Sequence, residues 1–116
     1  MLLEPIELAH QVADVISDKK GSDIVILDTG KVSSIADFFV IATVDSERQA
    51  KAVLDDIEKE LKPHRKNPMS VDVESGSGWV LIDYGDVIVH IFNPITRDFY
   101  DLEDLWSNAP VVVRIQ

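Results

Sequence analysis

The chain has 116 residues and no cysteine, which fits a single domain over residues 1–116 and excludes disulfides, thiolate zinc sites and cysteine nucleophiles. No apolar run approaches the ~20 residues of a membrane span, and the first residues do not resemble a signal peptide, so we predict a cytoplasmic protein without membrane contact. The net charge of -10 argues against direct nucleic-acid contact, which needs clustered lysine and arginine, and favours a basic protein partner or simply solubility.

The first half of the chain predicts two helices and two strands. Glu4–Lys20 reads as a helix because its apolar residues recur at helical spacing. The runs Asp23–Asp28 and Phe38–Thr43 are rich in β-formers and predict strands. A capping box then predicts the start of a second helix over Ser46–Lys62, which carries one apolar stripe.

The second half predicts three strands and a short helix. Residues Met69–Glu74 alternate as a short strand, and a hairpin over 78–92 follows a flexible turn. Arg97–Tyr100 reads as a short turn or an edge strand, and Leu102–Trp106 as a short helix whose apolar residues dock on the body. The tail from Pro110 is too short to place. This order predicts an α/β (α+β) domain with a mixed sheet of about five strands and helices mainly on one face.

The hairpin GWVLIDYGDVIVHIF is the most informative stretch. Its turn is either Tyr84-Gly85 or Gly85-Asp86, and glycine supplies the positive φ in both. Both turns give the same two faces, because side chains alternate along a strand. The core-like face carries Val80, Ile82, Tyr84, Val87, Val89 and Ile91. The other, which we call the hairpin face, carries Trp79, Leu81, Asp83, Ile88, His90 and Phe92.

The hairpin face is too apolar to be simply solvated. Aromatic residues rimmed by charge are typical of binding surfaces, which favours cover by a partner. The alternative is cover from within the chain, by the helix around Leu102, Leu105 and Trp106.

A catalytic interpretation of Asp83, Asp86 and His90 is weaker. An Asp–His pair can form a general base, but no nucleophile stands beside it, and so few ligands make a poor metal site. Gly76-Ser77 with Asp83 faintly resembles a nucleotidyltransferase, without the paired carboxylates or the cations that hold a triphosphate. We therefore predict no enzyme, cofactor or metal, with a nucleotide-binding or nucleotidyltransferase-like enzyme as the alternative.

Four stretches in order resemble the ribosomal silencing factor family, also called Iojap-like. They are SSIADFFVIAT at 33–43, SERQ at 46–49, WVLIDYGDVIVHIF at 79–92 and RDFYDLEDLW at 97–106. One departure is Glu74-Ser75, where members usually show a Glu-Gly step. The resemblance implies a nucleotidyltransferase-like fold without catalytic residues.

The same resemblance implies a translational repressor that binds the large ribosomal subunit through its basic ribosomal protein fourteen. Such a factor blocks joining of the small subunit when nutrients are short. A role in large-subunit maturation and a homodimer in the free state are also implied.

Nine residues are expected to bind the partner. The acidic excess between Asp83 and Asp104, interrupted by the lone Arg97, suits a basic surface. Tyr84 belongs to the core face by alternation, yet it adjoins the turn and is expected to reach the rim. The expected partner-binding residues are Trp79, Asp83, Tyr84, Asp86, His90, Phe92, Asp98, Tyr100 and Asp101.

Overall fold

The computed structural model describes residues 3–64 and 67–115, and within them it forms one six-stranded sheet flanked by helices. The helices are α1 (Pro5–Asp18), α2 (Glu47–Leu61), α3 (Pro94–Tyr100) and α4 (Leu102–Leu105). The strands are β1 (Ser22–Leu27), β2 (Phe38–Thr43), β3 (Ser70–Val73), β4 (Trp79–Asp83), β5 (Val87–Phe92) and β6 (Val111–Ile115). Across these described ranges, no helix combines the length and apolar character that crossing a bilayer requires.

The sheet consists of two antiparallel halves. Its spatial order is β3-β4-β5-β2-β1-β6. Strands β2 and β5 are parallel, whereas every other neighbouring pair is antiparallel. The parallel pair therefore joins the half β3-β4-β5 to the half β2-β1-β6, and places the hairpin near the middle of the sheet.

The two long helices cover one face of the sheet. Helix α1 begins with a reciprocal capping box between Glu4 and Glu7, and α2 begins where the Ser46 hydroxyl accepts the Gln49 N–H at 3.0 Å. Each fully buried aliphatic side chain in this layer contributes roughly 1.5–3 kcal/mol. The layer is built mainly from Leu8, Val12, Ile16, Val53, Ile57 and Leu61 on the helices and Ile24, Ile26, Val40, Ile82 and Val89 on the sheet.

A smaller core lies on the opposite face. Phe39, Ile41 and Phe92 are buried there together with residues of β1. The segment after α3 covers them, and the Trp106 ring meets the Phe39 ring edge-on at 4.9 Å. Residues of this chain therefore cover this face, but only in part. Leu105, expected to dock on the body, is instead 72% exposed.

Two predicted elements need correction. Arg97–Tyr100 is neither a turn nor an edge strand but the end of α3, because the Asn93 side chain accepts the Thr96 N–H at 2.7 Å and Pro94 begins the helix. The unplaced tail contains a sixth strand, β6, which pairs antiparallel with β1. Arg65 and Lys66, between α2 and β3, lie outside the described residues, as does the final Gln116.

Candidate partner-binding surface

The hairpin divides into the two faces that its alternation predicts. The turn is Gly85-Asp86, since the Tyr84 N–H donates to the Val87 carbonyl at 2.9 Å. Gly85 adopts φ +87°, which suits glycine at the first central position of a two-residue turn. The facing pairs of the hairpin face are Trp79–Phe92, Leu81–His90 and Asp83–Ile88.

Trp79 stands at the centre of an aromatic cluster, formed with His90, Phe92 and Tyr100. Its ring centroid lies 4.9 Å from that of Phe92 and 4.7 Å from that of Tyr100. Its indole N–H donates to Nδ1 of His90 at 3.2 Å. Trp79 is half-buried and Tyr100 is exposed, so the cluster joins the hairpin to α3 and opens to solvent at one side.

His90 is enclosed and holds Trp79 in place. It is 4% exposed, and burial lowers the pKa of its imidazole to about 4. The ring is therefore neutral near pH 7, and because Nδ1 accepts from Trp79, its proton is on Nε2. Within the described residues, Nε2 has no hydrogen-bond partner. This arrangement suits a positioning role better than that of a base.

Three of the nine predicted residues lie beneath the surface. Tyr84, His90 and Phe92 are at most 4% exposed. Tyr84 does not reach the rim: it packs in the core under α2, where burial and then the Glu58 carboxylate raise the pKa of its hydroxyl. We therefore correct the expected geometry. These three side chains support the surface from within, and the other six are open to a partner.

Asp83, just before the turn, and Asp86, within it, also make hydrogen bonds that involve the backbone. Asp83 is half-buried, and its Oδ1 accepts the Gly85 N–H at 2.7 Å. Asp86 is exposed, and its carbonyl accepts the N–H groups of Asp37 and Phe38 at 2.8 and 3.1 Å. Asp83 follows Trp79 along β4 by about 13 Å, so the acidic end and the aromatic end of the surface are distinct.

Helices α3 and α4 extend the surface with apolar residues that sequence reasoning missed. Ile95 is 81% exposed and Phe99 is 78% exposed. Asp98 and Asp101 are exposed among them, and Asp101, at φ +46°, separates the two helices. The sequence signal for α3 was its Asn93-Pro94 start. In a helix, unlike a strand, residues four apart such as Ile95 and Phe99 lie on the same side, and here that side faces solvent.

Arg97 fixes this segment to the sheet. Its side chain is only 11% exposed and its Nε donates to Glu103 Oε1 at 2.8 Å. Its Nη1 donates both to the Asp23 carbonyl at 2.6 Å and to Thr43 Oγ1 at 2.7 Å. Asp23 has φ +48° in an irregular part of β1, where the pairing register shifts. We call this set of contacts the Arg97 clasp. Its signal in the sequence was that Arg97 is the lone basic residue among the acidic residues between Asp83 and Asp104.

The loop that resembled a nucleotidyltransferase element borders a groove of about 580 Å³. The Glu47 carboxylate accepts the Gly76 N–H, and the Ser46 hydroxyl occupies the first turn of α2. The backbone N–H groups of Gly76 and Gln49, which could otherwise bind a phosphate, therefore already donate to side chains. Glu74 adds a further carboxylate to the groove, and the described residues hold no His/Asp/Glu group that could bind a metal ion. The groove does not favour a nucleotide.

Residues 3–116 match the protein family described as "Ribosomal silencing factor during starvation". A protein named "Ribosomal silencing factor RsfS" from Chromobacterium violaceum is 38% identical over 101 residues, which cover 87% of this chain and 83% of the relative. "Protein Iojap, chloroplastic" from Arabidopsis thaliana is 36% identical over 91% of this chain and 44% of its own length. A crystal structure of a C. violaceum protein matches with a TM-score of 0.84 at 37% identity, over 90% of this chain and 88% of that one. A Bacillus halodurans crystal structure matches with a TM-score of 0.74 at 34% identity, over 93% and 95% of the two chains.

Proposed function

Because this chain belongs to the ribosomal silencing factor family, we propose that it represses translation by binding the large ribosomal subunit. Its contact is the basic ribosomal protein fourteen of that subunit. The bound factor occupies the space that the small subunit needs, so joining fails and translation falls when nutrients are limiting. The action is steric and not enzymatic.

The observation that carries this proposal is the exposed surface formed by β4, the turn and the α3–α4 segment. It combines aromatic rings at Trp79, Phe99 and Tyr100 with carboxylates at Asp86, Asp98 and Asp101. Aromatic anchors give affinity, and carboxylates around them attract and orient a basic partner. The net charge of -10 has the same sign.

The proposal extends to compartment and assembly. The protein acts in the cytoplasm, makes little direct contact with ribosomal RNA, and also assists maturation of the large subunit. When free, it forms a homodimer.

Sedimentation with purified ribosomal subunits tests the function. We expect the protein to co-migrate with large subunits and not with small ones in a sucrose gradient at moderate salt. Added before the small subunit, it should also lower the yield of joined ribosomes. A protein that stays at the top of both gradients would contradict the proposal.

The double variant Trp79→Ala, Asp86→Arg tests the surface. It removes the aromatic anchor and reverses one rim charge, and we expect subunit binding to fall by at least about 100-fold. Asp86 is preferred to Asp83, because the Asp83 carboxylate holds the Gly85 N–H. Asp14→Arg, on the exposed side of α1, is the matched charge reversal and should bind normally. Normal binding by a folded double variant, verified by circular dichroism, would contradict the site.

A further inference from the structure

A small pocket opens beside Trp79, on the same face as the aromatic cluster. It has a volume of about 190 Å³. Two aromatic rings, two carboxylates, a hydroxyl and one aliphatic side chain line it. They are Trp79, Tyr100, Asp72, Glu74, Ser77 and Leu81.

The sheet register brings these groups together. Asp72 of β3 faces Leu81 of β4, and facing residues project to the same side of a sheet. Glu74 lies two positions after Asp72, so it continues along that side. Tyr100 comes from α3 and closes the pocket through its ring contact with Trp79. Sequence reasoning missed both carboxylates, although the alternation of the predicted strand at 69–74 put them on one face.

The two carboxylates are available for a ligand. Asp72 and Glu74 are exposed. Among the described residues, neither side chain takes part in an ion pair. Their charge is therefore not neutralised by a neighbouring cation that the structure describes.

The size and chemistry of the pocket define its ligand. Pockets that enclose a whole small molecule measure roughly 300–1,000 Å³, so this one suits a single side chain. Aromatic rings bind the alkyl stem and attract the charged head of lysine or arginine, and carboxylates pair with that head. We propose that this pocket is a subsite for one basic side chain of the protein partner. The inference rests on the proposed function for the partner's identity, but the chemistry of the pocket can be tested without it.

A titration with a small probe tests the pocket directly. The probe is Nα-acetyl-lysine N-methylamide, with the arginine analogue in parallel and the norleucine analogue as an uncharged control of similar shape. The indole N–H signals of Trp79 and Trp106 report binding by NMR. Trp106 packs against Phe39 and serves as the internal reference. We expect the lysine or arginine probe to move the Trp79 signal saturably, while norleucine leaves it in place.

The variant Asp72→Asn, Glu74→Gln removes the charges and keeps the shapes. We expect at least about a fivefold loss of probe affinity, since the ion pair and the attraction of the rings act on the same head group. Asp14→Asn, Glu60→Gln, on the helical side, removes equal charge elsewhere and should bind the probe normally. No saturable Trp79 shift, an equal shift with norleucine, or unchanged affinity in the pocket variant would each overturn the inference.

Sedimentation separates this inference from the proposed function. If the wild-type protein and the helical-side variant bind large subunits and the pocket variant binds more weakly, the subsite is supported. If all three bind equally, the subsite is wrong and the function stands. If the wild-type protein does not bind subunits, the function fails, and the probe titration alone decides the pocket.

Discussion

His90 shows how one buried residue organises the surface above it. A neutral imidazole accepts the Trp79 N–H, which fixes the indole while its ring remains open to a partner. A phenyl ring in this position would leave that N–H without its acceptor, at a cost of about 1–3 kcal/mol. The pattern of alternation predicted that both residues share a face. It did not predict burial of His90, because the covering segment comes from a distant part of the chain.

The depressed pKa of His90 makes stability depend on pH. Its pKa is 6.5 when unfolded and about 4 when folded, so the unfolded state binds more protons between these values. The contribution of neutral His90 is complete above pH 6.5 and is lost as pH falls towards 4. We expect the free energy of unfolding to drop by about 2 kcal/mol more between about pH 7 and pH 5 than in His90→Asn.

Urea denaturation at several pH values measures this difference. Asparagine keeps an acceptor near the position of Nδ1 but does not titrate, so the comparison uses the slope with pH and not the absolute stability. His10→Asn, on the exposed side of α1, should retain the wild-type slope. Parallel slopes for the wild-type protein and His90→Asn would show that His90 titrates normally.

The stability of the α3–α4 segment depends more on the contacts of Arg97 than on the intrinsic stability of its two short helices. Each helix is seven residues or fewer, too short to be stable alone in water. The Arg97 clasp compensates, because a nearly buried guanidinium joins Glu103 on α4 to the backbone of β1 and to Thr43 on β2. The exposed Phe99 and Tyr100 are thereby held beside the hairpin.

Loss of the clasp should release this segment. For Arg97→Ala we expect a loss of about 2–4 kcal/mol from broken charged hydrogen bonds, since Glu103 would keep only its longer contact with Arg114 at 3.8 Å. Amide hydrogen exchange should rise first in α3 and α4, while the amides of β5 stay protected. Arg48→Ala, at an exposed position of α2, is the control and should change stability by less than about 0.5 kcal/mol. Equal protection of α3 in both variants would mean that the clasp does not hold it.

The elements that the sequence predicted well are those with local signals. Helix α2 begins at its serine cap, and the two faces of the hairpin follow from strict alternation around a glycine turn. Elements defined by distant contacts were missed. Strand β6 exists because β1 offers an edge to Val111–Ile115, and the Arg97 clasp depends on a carbonyl far away in the chain. Among the nine expected site residues, composition pointed to those that are open to a partner. The burial of Tyr84, His90 and Phe92 became visible only from the packing of the folded chain.

Charge acts at the scale of the whole molecule. With 21 acidic and 11 basic residues, the protein attracts positively charged groups over a distance that salt shortens to about 10 Å at 0.1 M. The exposed Asp98 and Asp101 place part of this charge beside the aromatic cluster. Partner association should therefore be faster at low ionic strength.

Asp98→Asn, Asp101→Asn should slow association with large subunits. We expect about a threefold to tenfold lower association rate at low salt and a flatter dependence on salt, with little change in dissociation. Asparagine tolerates the left-handed conformation at position 101, so the link between α3 and α4 is preserved. Stopped-flow or surface-binding kinetics at several salt concentrations measure both rates. Asp14→Asn, Glu60→Gln should behave more like the wild-type protein; identical curves for both doubles would mean that only net charge matters.

The parallel pairing of β2 with β5 also predicts an order of assembly. The pairs β1–β2, β3–β4 and β4–β5 join strands that are near in sequence, so each can form early, whereas β2 and β5 meet only after a long loop closes. The aromatic cluster is rooted in one half of the sheet, and the Arg97 clasp grips the other. A newly made chain whose halves have not yet joined would therefore have Trp79 in place without α3 and α4 fixed beside it. Competence to dock would therefore depend on the joining of the two halves, so that a half-folded chain would not compete for the partner.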